Sequence, residues 1–433
     1  MMNINIISKK LIKPYTPSPQ NLNKYKLSFT DELIPSMYMS VTLFYPPNPN
    51  PNLIIIRLQE SLSKILTQFY PFAGRYMKKD HLVDCNDEGA EFVEAEANDI
   101  ELIDFLAKTK SYAQFDNLLS RQTHDVDKSE DPLLSVQVTK FKCGGMSISI
   151  SLSHRIADGS SLGTLITAWS NANNNYNNQE PIIPTFDSSS LFRGENSESD
   201  FGPLAQNVAV KRLLFNKEAI SSLRSKLRPS KNGKGHLSRV RVVSAVIAKA
   251  LIGLELAKKS KPRACFGQVV NMPSRTIPNL NKHLCGNLAA ASAARFIATN
   301  EIKEKGLQEL VYLLGEANEE TIDHCEKLLS LDENGRKKIL REPWLKMLET
   351  FASGDGFALW FTDWSKFGFY EAEFGLGNKP VWVGVSTKIP VNNIVLMENK
   401  EGDGIEAWVH LDPNDVPCFE RDMDMKLQGR SKL

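Results

Sequence analysis

No two of the six cysteines stand in CxxC spacing and no HExxH is present, so neither a structural zinc site nor a zinc-protease centre has sequence support. Cys85, Cys143, Cys265, Cys285, Cys325 and Cys418 are scattered, which fits a reducing compartment better than a disulfide scaffold. There is no Walker A loop. The glycine pairs Gly354/Gly356, Gly375/Gly377 and Gly402/Gly404 each lack the third glycine of a dinucleotide fingerprint. Long apolar runs are missing too. The most apolar stretch, Ala245 to Ala257, is broken by Lys249 and Glu255 and falls short of the ~20 residues a membrane span needs. The opening MMNINIISKKLIKP has too short an apolar part for a signal peptide and no small-residue cleavage site. Net charge is nearly absent: 52 Lys+Arg against 51 Asp+Glu give +1, no general field toward nucleic acid or acidic membrane. These absences predict a soluble, intracellular protein with no metal, nucleic-acid or membrane partner.

What is present is an ordinary globular composition, 42% hydrophobic and 24% charged, on 433 residues. At roughly 100–200 residues per domain, that length predicts two or more domains. Helical and strand patterns alternate, which predicts a mixed α and β protein. Leu58, Leu62, Ile65, Leu66 and Phe69 recur at helical spacing before Pro71. Strand-like runs follow at 91–94 and 133–139. The stretch from Asn171 to Asn207, rich in Asn, Ser, Gly and Pro, reads as an interdomain linker. Beyond it come a strand around Val208 to Phe215, a helix from Ser244, and strands at 380–386, 394–397 and 405–411, with Gly402-Asp403-Gly404 as a tight turn. The chain ends in Ser431-Lys432-Leu433, the tripeptide read by the peroxisomal import receptor, so peroxisome is the expected compartment and cytosol the alternative.

The sharpest local feature follows Gly144-Gly145. Met146, Ile148, Ile150 and Leu152 alternate with Ser147, Ser149, Ser151 and Ser153, a period-two strand. His154 falls on the apolar parity, so its imidazole is expected to point inward at the strand's end. Asp158-Gly159-Ser160-Ser161 offers a turn and helix N-cap, and Leu162, Leu165, Ile166 and Trp169 form the stripe of the helix after it. A histidine aimed inward from such a loop can serve as a general base, its unperturbed pKa of about 6.5 lying near working pH. By spacing alone His154 reads equally as a hydrogen-bonded core histidine or as that base.

His154-Arg155-Ile156-Ala157-Asp158-Gly159 matches the HxxxDG signature of coenzyme A-dependent acyltransferases, and nearly the whole chain resembles the plant BAHD acyltransferases. The resemblance is carried by Leu66-Thr67-Gln68-Phe69-Tyr70-Pro71-Phe72-Ala73-Gly74-Arg75, Val83-Asp84-Cys85-Asn86-Asp87 and Phe141-Lys142-Cys143-Gly144-Gly145. Gly286-Asn287, Phe361-Thr362-Asp363-Trp364 and the segment from Gly402 to Trp408 add to it. It is strongest to members that acylate hydroxyls of alkaloids, terpenoids and related metabolites. The family's DFGWG loop corresponds to Glu373-Phe374-Gly375-Leu376-Gly377, which departs from it twice. Glu for Asp keeps the charge, and Leu for Trp removes a large aromatic. The family's carboxylate there pairs with an arginine, for which Arg275 is the candidate by position; Pro273 stands where relatives often have another arginine.

The resemblance implies an α/β fold of two similar-sized mixed-sheet domains of the chloramphenicol acetyltransferase-like type, with a solvent channel between them. It sets an N-terminal domain at 1–180 carrying His154, a crossover at 181–207 and a C-terminal domain at 208–433 carrying the Glu373–Gly377 loop. It further implies transfer of a short acyl group, acetyl or short branched, from acyl-CoA as co-substrate to the hydroxyl of a small-molecule acceptor. N-acylation of an amine and a non-catalytic ligand-binding homologue are the alternatives. No bound cofactor or metal is expected, and the protein is expected to be a monomer. His154 is then the base and Asp158 a loop-holding residue that turns away to an arginine. Thr362 and Trp364 are candidates for the oxyanion pocket, and Ser238, Arg239 and Lys366 for contacts to CoA.

Overall fold

The computed structural model describes residues 2–427 apart from 109–111, 125–127, 175–179, 198–206, 229–236, 259–262, 273–280, 282, 293–294 and 354–355. The expected Arg275 and Pro273, and the terminal Ser431 to Leu433, lie outside the described residues. The chain forms two compact units. The first comprises Met1–Leu204, Leu280–Leu288 and Phe367–Lys388; the second comprises Ala205–Asn279, Ala289–Lys366 and Ile389–Leu433. Both are discontinuous, unlike the single cut expected from the linker. The second half of the sequence returns twice to the first unit.

The first unit is built on a six-stranded sheet in the order Asn5–Ile12, Ala90–Ala97, Leu134–Phe141, Met146–Ser153, Tyr38–Tyr45, Trp382–Val385. Ala90–Ala97 and Leu134–Phe141 run parallel, and the other pairs are antiparallel. The strand expected at 380–386 is thus the edge partner of Tyr38–Tyr45, with Val383 opposite Leu43. The alternation along Met146–Ser153 survives as two buried faces. Met146, Ile148, Ile150 and Leu152 are fully buried on one. The serines of the other are buried as well, and two of them meet hydroxyls across the ladder: Ser149 pairs with Thr42 at 2.9 Å and Ser151 with Ser40 at 2.8 Å. Such pairing removes most of the cost of taking a hydroxyl out of water.

The helix Pro51–Gln68 starts with proline at its first turn and buries Ile54, Leu58, Leu62, Ile65 and Leu66. It packs on the helix Gly159–Asn174, where the Trp169 indole donates to Ser61 Oγ at 3.0 Å. A three-stranded sheet of Lys24–Lys26, Leu82–Asp84 and Arg75–Met77 completes the first unit's strands.

The second unit carries a mixed sheet in the order Ala289–Ala291, Arg263–Asn271, Gly356–Asp363, Asn393–Glu398, Ile405–Leu411, Ala209–Phe215, with Arg295–Ala298 also on Arg263–Asn271. Val242, Val246, Ile247, Ala250 and Leu251 of the helix Arg239–Lys258 pack with Leu359, Phe361, Ile394, Leu396, Ala407 and Val409 of the sheet. That helix begins five residues before the expected Ser244, because Ser238 Oγ accepts the Arg241 N–H at 3.1 Å and caps it. The Gly402-Asp403-Gly404 turn is present, and a Cβ on Gly404 would lie 2.5 Å from the Phe215 carbonyl oxygen. Among the described residues no helix is long and apolar enough to cross a membrane.

Candidate active site

The strand Met146–Ser153 delivers His154 into a tight turn. Its N–H donates to the Met37 carbonyl at 2.8 Å, fixing the turn to the neighbouring strand's entry. Asp158 then opens the helix Gly159–Asn174. One carboxylate oxygen accepts from the Ser161 amide at 2.8 Å and from the Ser161 hydroxyl at 2.9 Å, the N-cap expected from sequence. The other accepts from the Leu288 amide at 3.1 Å, while the Asp158 amide donates to the Gly286 carbonyl at 3.2 Å. Ser161 Oγ adds contacts to the Gly286 amide and carbonyl at 3.1 and 3.0 Å. Asp158 therefore grips the 286–288 segment; among the described residues its carboxylate's hydrogen-bond partners are Ser161 and Leu288, not an arginine.

That segment carries Asn287 to the histidine. Asn287 Oδ1 lies 2.9 Å from His154 Nδ1. Its Nδ2 donates to the His154 carbonyl at 2.8 Å and to the buried Asp31 carboxylate at 2.9 Å. Both amide protons thus point at atoms that can only accept, so the carboxamide orientation is set and Oδ1 must face the imidazole. An oxygen there requires Nδ1 to bring the proton, leaving the lone pair on Nε2. Sequence reasoning noted Gly286-Asn287 only as a recurring stretch and passed over Asp31, whose one local signal was Ser28-x-x-Asp31, a capping-box spacing.

His154 is half-buried, and the protein around its ring disfavours the imidazolium, pushing the pKa down to about 4 although hydrogen bonds to Asn287 and to backbone groups pull upward. The ring is neutral at pH 7. With the folded value below the free-histidine value of about 6.5, kcat/KM is expected to stay level from pH 7 down to about 5 and to fall only as pH approaches 4. Stability linked to His154 runs the same way: it is present above about 6.5 and is lost as pH falls towards 4, since only the unfolded chain binds the proton in that window. A pH–rate profile with its acid limb at 6.5 would contradict this. Burial raises the Asp158 and Asp31 carboxyls despite their donors, and Cys285, also buried here, is pushed well up and stays a thiol.

The Glu373–Gly377 loop also belongs to the first unit. It sits on the far end of the same helix that Asp158 caps. The Phe374 amide donates to Ser170 Oγ at 3.0 Å, the Asn173 carboxamide donates to the Phe374 carbonyl, and the Phe374 ring meets Trp169 edge-on at 4.8 Å. Leu376 is buried. Gly375 has φ +67°, and a Cβ there would lie 2.9 Å from the Asn173 carbonyl oxygen. Gly375→Ala is expected to cost about 1–2 kcal/mol from the left-handed backbone alone, read as a lower Tm.

Thr362 and Trp364 lie in the second unit, at the end of the strand Gly356–Asp363; Trp364 is buried and its amide donates to the Leu396 carbonyl at 2.7 Å. Lys366 is exposed. Ser238 is engaged as a helix cap. Arg239 bonds Glu398 at 2.9 Å and the Gly402 carbonyl at 2.8 Å, holding the turn between two strands.

The sequence profile of the Transferase family matches residues 2–426. The chain is 43% identical to a pelargonidin 3-O-(6-caffeoylglucoside) 5-O-(6-O-malonylglucoside) 4'''-malonyltransferase of Salvia splendens, over 98% of this chain and 99% of that one. It is 33% identical to vinorine synthase of Rauvolfia serpentina over 94% and 93% of the two chains. The crystal structure of vinorine synthase superposes with a TM-score of 0.82 at 31% identity, covering 96% of each chain. F. graminearum TRI101, crystallised with coenzyme A and T-2 mycotoxin, shares the fold at a TM-score of 0.73 and 18% identity. With nearly its whole length matched, the chain belongs to the BAHD branch of the Transferase family and is an acyl-CoA-dependent acyltransferase.

Proposed function

We propose that the protein transfers a short acyl group from acyl-CoA to a hydroxyl of a plant specialised metabolite, with His154 as general base. The observation that carries this reading is the Asn287 contact to Nδ1, which leaves Nε2 as the basic atom. A free alcohol is far too weak an acid to ionise first, so its proton moves to Nε2 as the oxygen attacks the thioester carbonyl. The tetrahedral oxyanion needs a donor, a role for Thr362 or the Trp364 indole; losing one such donor costs about 10²–10³ in rate. The C–S bond then breaks, and the CoA thiolate recovers the proton from His154.

The relatives' names support an O-linked acceptor and a short donor, malonyl in the Salvia protein and acetyl in a limonoid 21-O-acetyltransferase of Melia azedarach and in stemmadenine O-acetyltransferase of Catharanthus roseus. For CoA, the exposed Lys366 is the freest of the three proposed contacts, since Arg239 would have to leave Glu398 to meet a phosphate. The deciding experiment offers the purified protein acetyl-CoA and malonyl-CoA with glycosylated phenolics, alkaloid alcohols and amines, and follows free thiol. Thiol release that depends on an alcohol supports the reading; release with amines alone, or tight CoA binding without release, overturns it. Peroxisomal location through Ser431-Lys432-Leu433 is part of the proposal, and a fluorescent fusion that stays in the same compartment without those residues would sink it. Monomeric behaviour is expected in sedimentation.

A further inference from the structure

Asp31 lies in the short helix Phe29–Glu32, is fully buried, and divides its two oxygens between different tasks. Oδ2 accepts from the Ser28 amide at 2.8 Å, the Ser28 hydroxyl at 2.6 Å and the Tyr25 hydroxyl at 3.4 Å, which closes the capping box. Oδ1 accepts from the Asn287 amide and from Asn287 Nδ2, each at 2.9 Å. A cap needs only the first oxygen. The second is given wholly to the residue whose other contacts are to His154 Nδ1 and the His154 carbonyl. Five donors surround the group, a set that suits a carboxylate and has no use for a proton on it.

The geometry points to Asp31 as a positioning residue for acyl transfer: acting through Asn287, it holds His154 as the Nδ1–H tautomer and favours the imidazolium formed when Nε2 takes the acceptor's proton. Were Oδ1 removed, the Asn287 carboxamide could turn over and present its NH₂ to Nδ1. That arrangement selects the Nε2–H tautomer, in which the atom facing the substrate can no longer accept. A fixed negative charge two hydrogen bonds from the ring also becomes more valuable as the ring gains charge, in a site of low effective dielectric. Asp31 gains no proton at any point; the acceptor's proton goes to Nε2 and from there to the CoA thiolate. The inference rests on His154 being the base.

The test uses the full chain, steady-state kinetics and ¹⁵N NMR of histidine-labelled protein, with the His154 signals assigned by their loss in His154→Gln. Unmodified protein at pH 7 should show Nδ1 protonated and Nε2 bare. Asp31→Asn, nearly isosteric, should lower kcat by about 10- to 100-fold, as loss of a residue supporting a working histidine does, with KM for acyl-CoA within about threefold. Its His154 should move to the Nε2–H form. The double variant Asp31→Asn/Asn287→Asp places a carboxylate directly on Nδ1 and should recover about tenfold of the lost kcat.

An Asp31→Asn enzyme with kcat within about threefold of the parent overturns the proposal, as does a lost kcat with an unchanged tautomer and no recovery in the double variant. If Asp31→Asn does not fold, the unmodified protein decides: Nε2–H overturns the proposal and Nδ1–H supports it. Should His154→Ala abolish transfer while Asp31→Asn does not, only the role of Asp31 falls.

Discussion

His154→Ala is expected to lower kcat by about 10²–10⁴-fold while KM for acyl-CoA changes little. The size follows from what the imidazole supplies. It contributes no charge at pH 7, because burial holds its pKa near 4, so it neither attracts the CoA phosphates nor binds an anionic acceptor by charge. As the proposed base it contributes only while the acceptor's proton is in flight, and an interaction confined to the transition state appears in kcat. His154→Gln should be no better, since its amide has no basic nitrogen. Measuring thiol release from acyl-CoA over a range of both substrates separates the two constants. A variant that kept full turnover would remove His154 as the base and with it the roles assigned to Asn287 and Asp31.

Asp158→Ala carries the next largest expected effect, and it falls first on stability. The alanine leaves the Ser161 amide and the Leu288 amide without their buried acceptor and costs the helix Gly159–Asn174 its cap. At about 1–3 kcal/mol for each orphaned buried donor, the total is about 3–5 kcal/mol. In a unit of this size, that is a fall in Tm of about 6–20 °C. Activity falls with it, because the 286–288 segment that presents Asn287 is released at the same time. The pH–rate profile should separate this from loss of a proton-transfer group: whatever turnover remains keeps the low acid limb of His154, because the base itself is still present. An acid limb that disappeared in the variant would instead assign Asp158 a proton-transfer role.

The loop of the proposed base was readable because its information is local. A period-two strand, a histidine on the apolar parity and an Asp-Gly-Ser-Ser cap occupy sixteen consecutive positions, about the range over which periodicity and capping speak. Asn287 was not readable in the same way. It reaches His154 across 133 residues, and no local pattern marks an asparagine that will meet an imidazole. The strand Trp382–Val385 was recognised as a strand but assigned to the second half, because strand propensity does not name a partner; its ladder to Tyr38–Tyr45 comes from tertiary pairing. Arg239 was a candidate phosphate contact by its position in the resemblance. Glu398 and the Gly402 carbonyl, the partners it found, lie some 160 positions away, beyond any local reading.

The discontinuity of the first unit also sets an order of events during synthesis. Its sheet lacks its edge strand until Trp382–Val385 has been made, and His154 lacks Asn287 until another 133 residues follow it. At about 5–20 residues per second, the histidine waits roughly 7–27 s on the ribosome before its partner exists. For that interval Asp31, Asp158 and His154 have no 286–288 segment to close over them. In a nascent chain stopped at residue 204 the first unit should therefore be protease-sensitive and able to recruit chaperones, whereas in one extended beyond residue 388 that unit should be protected.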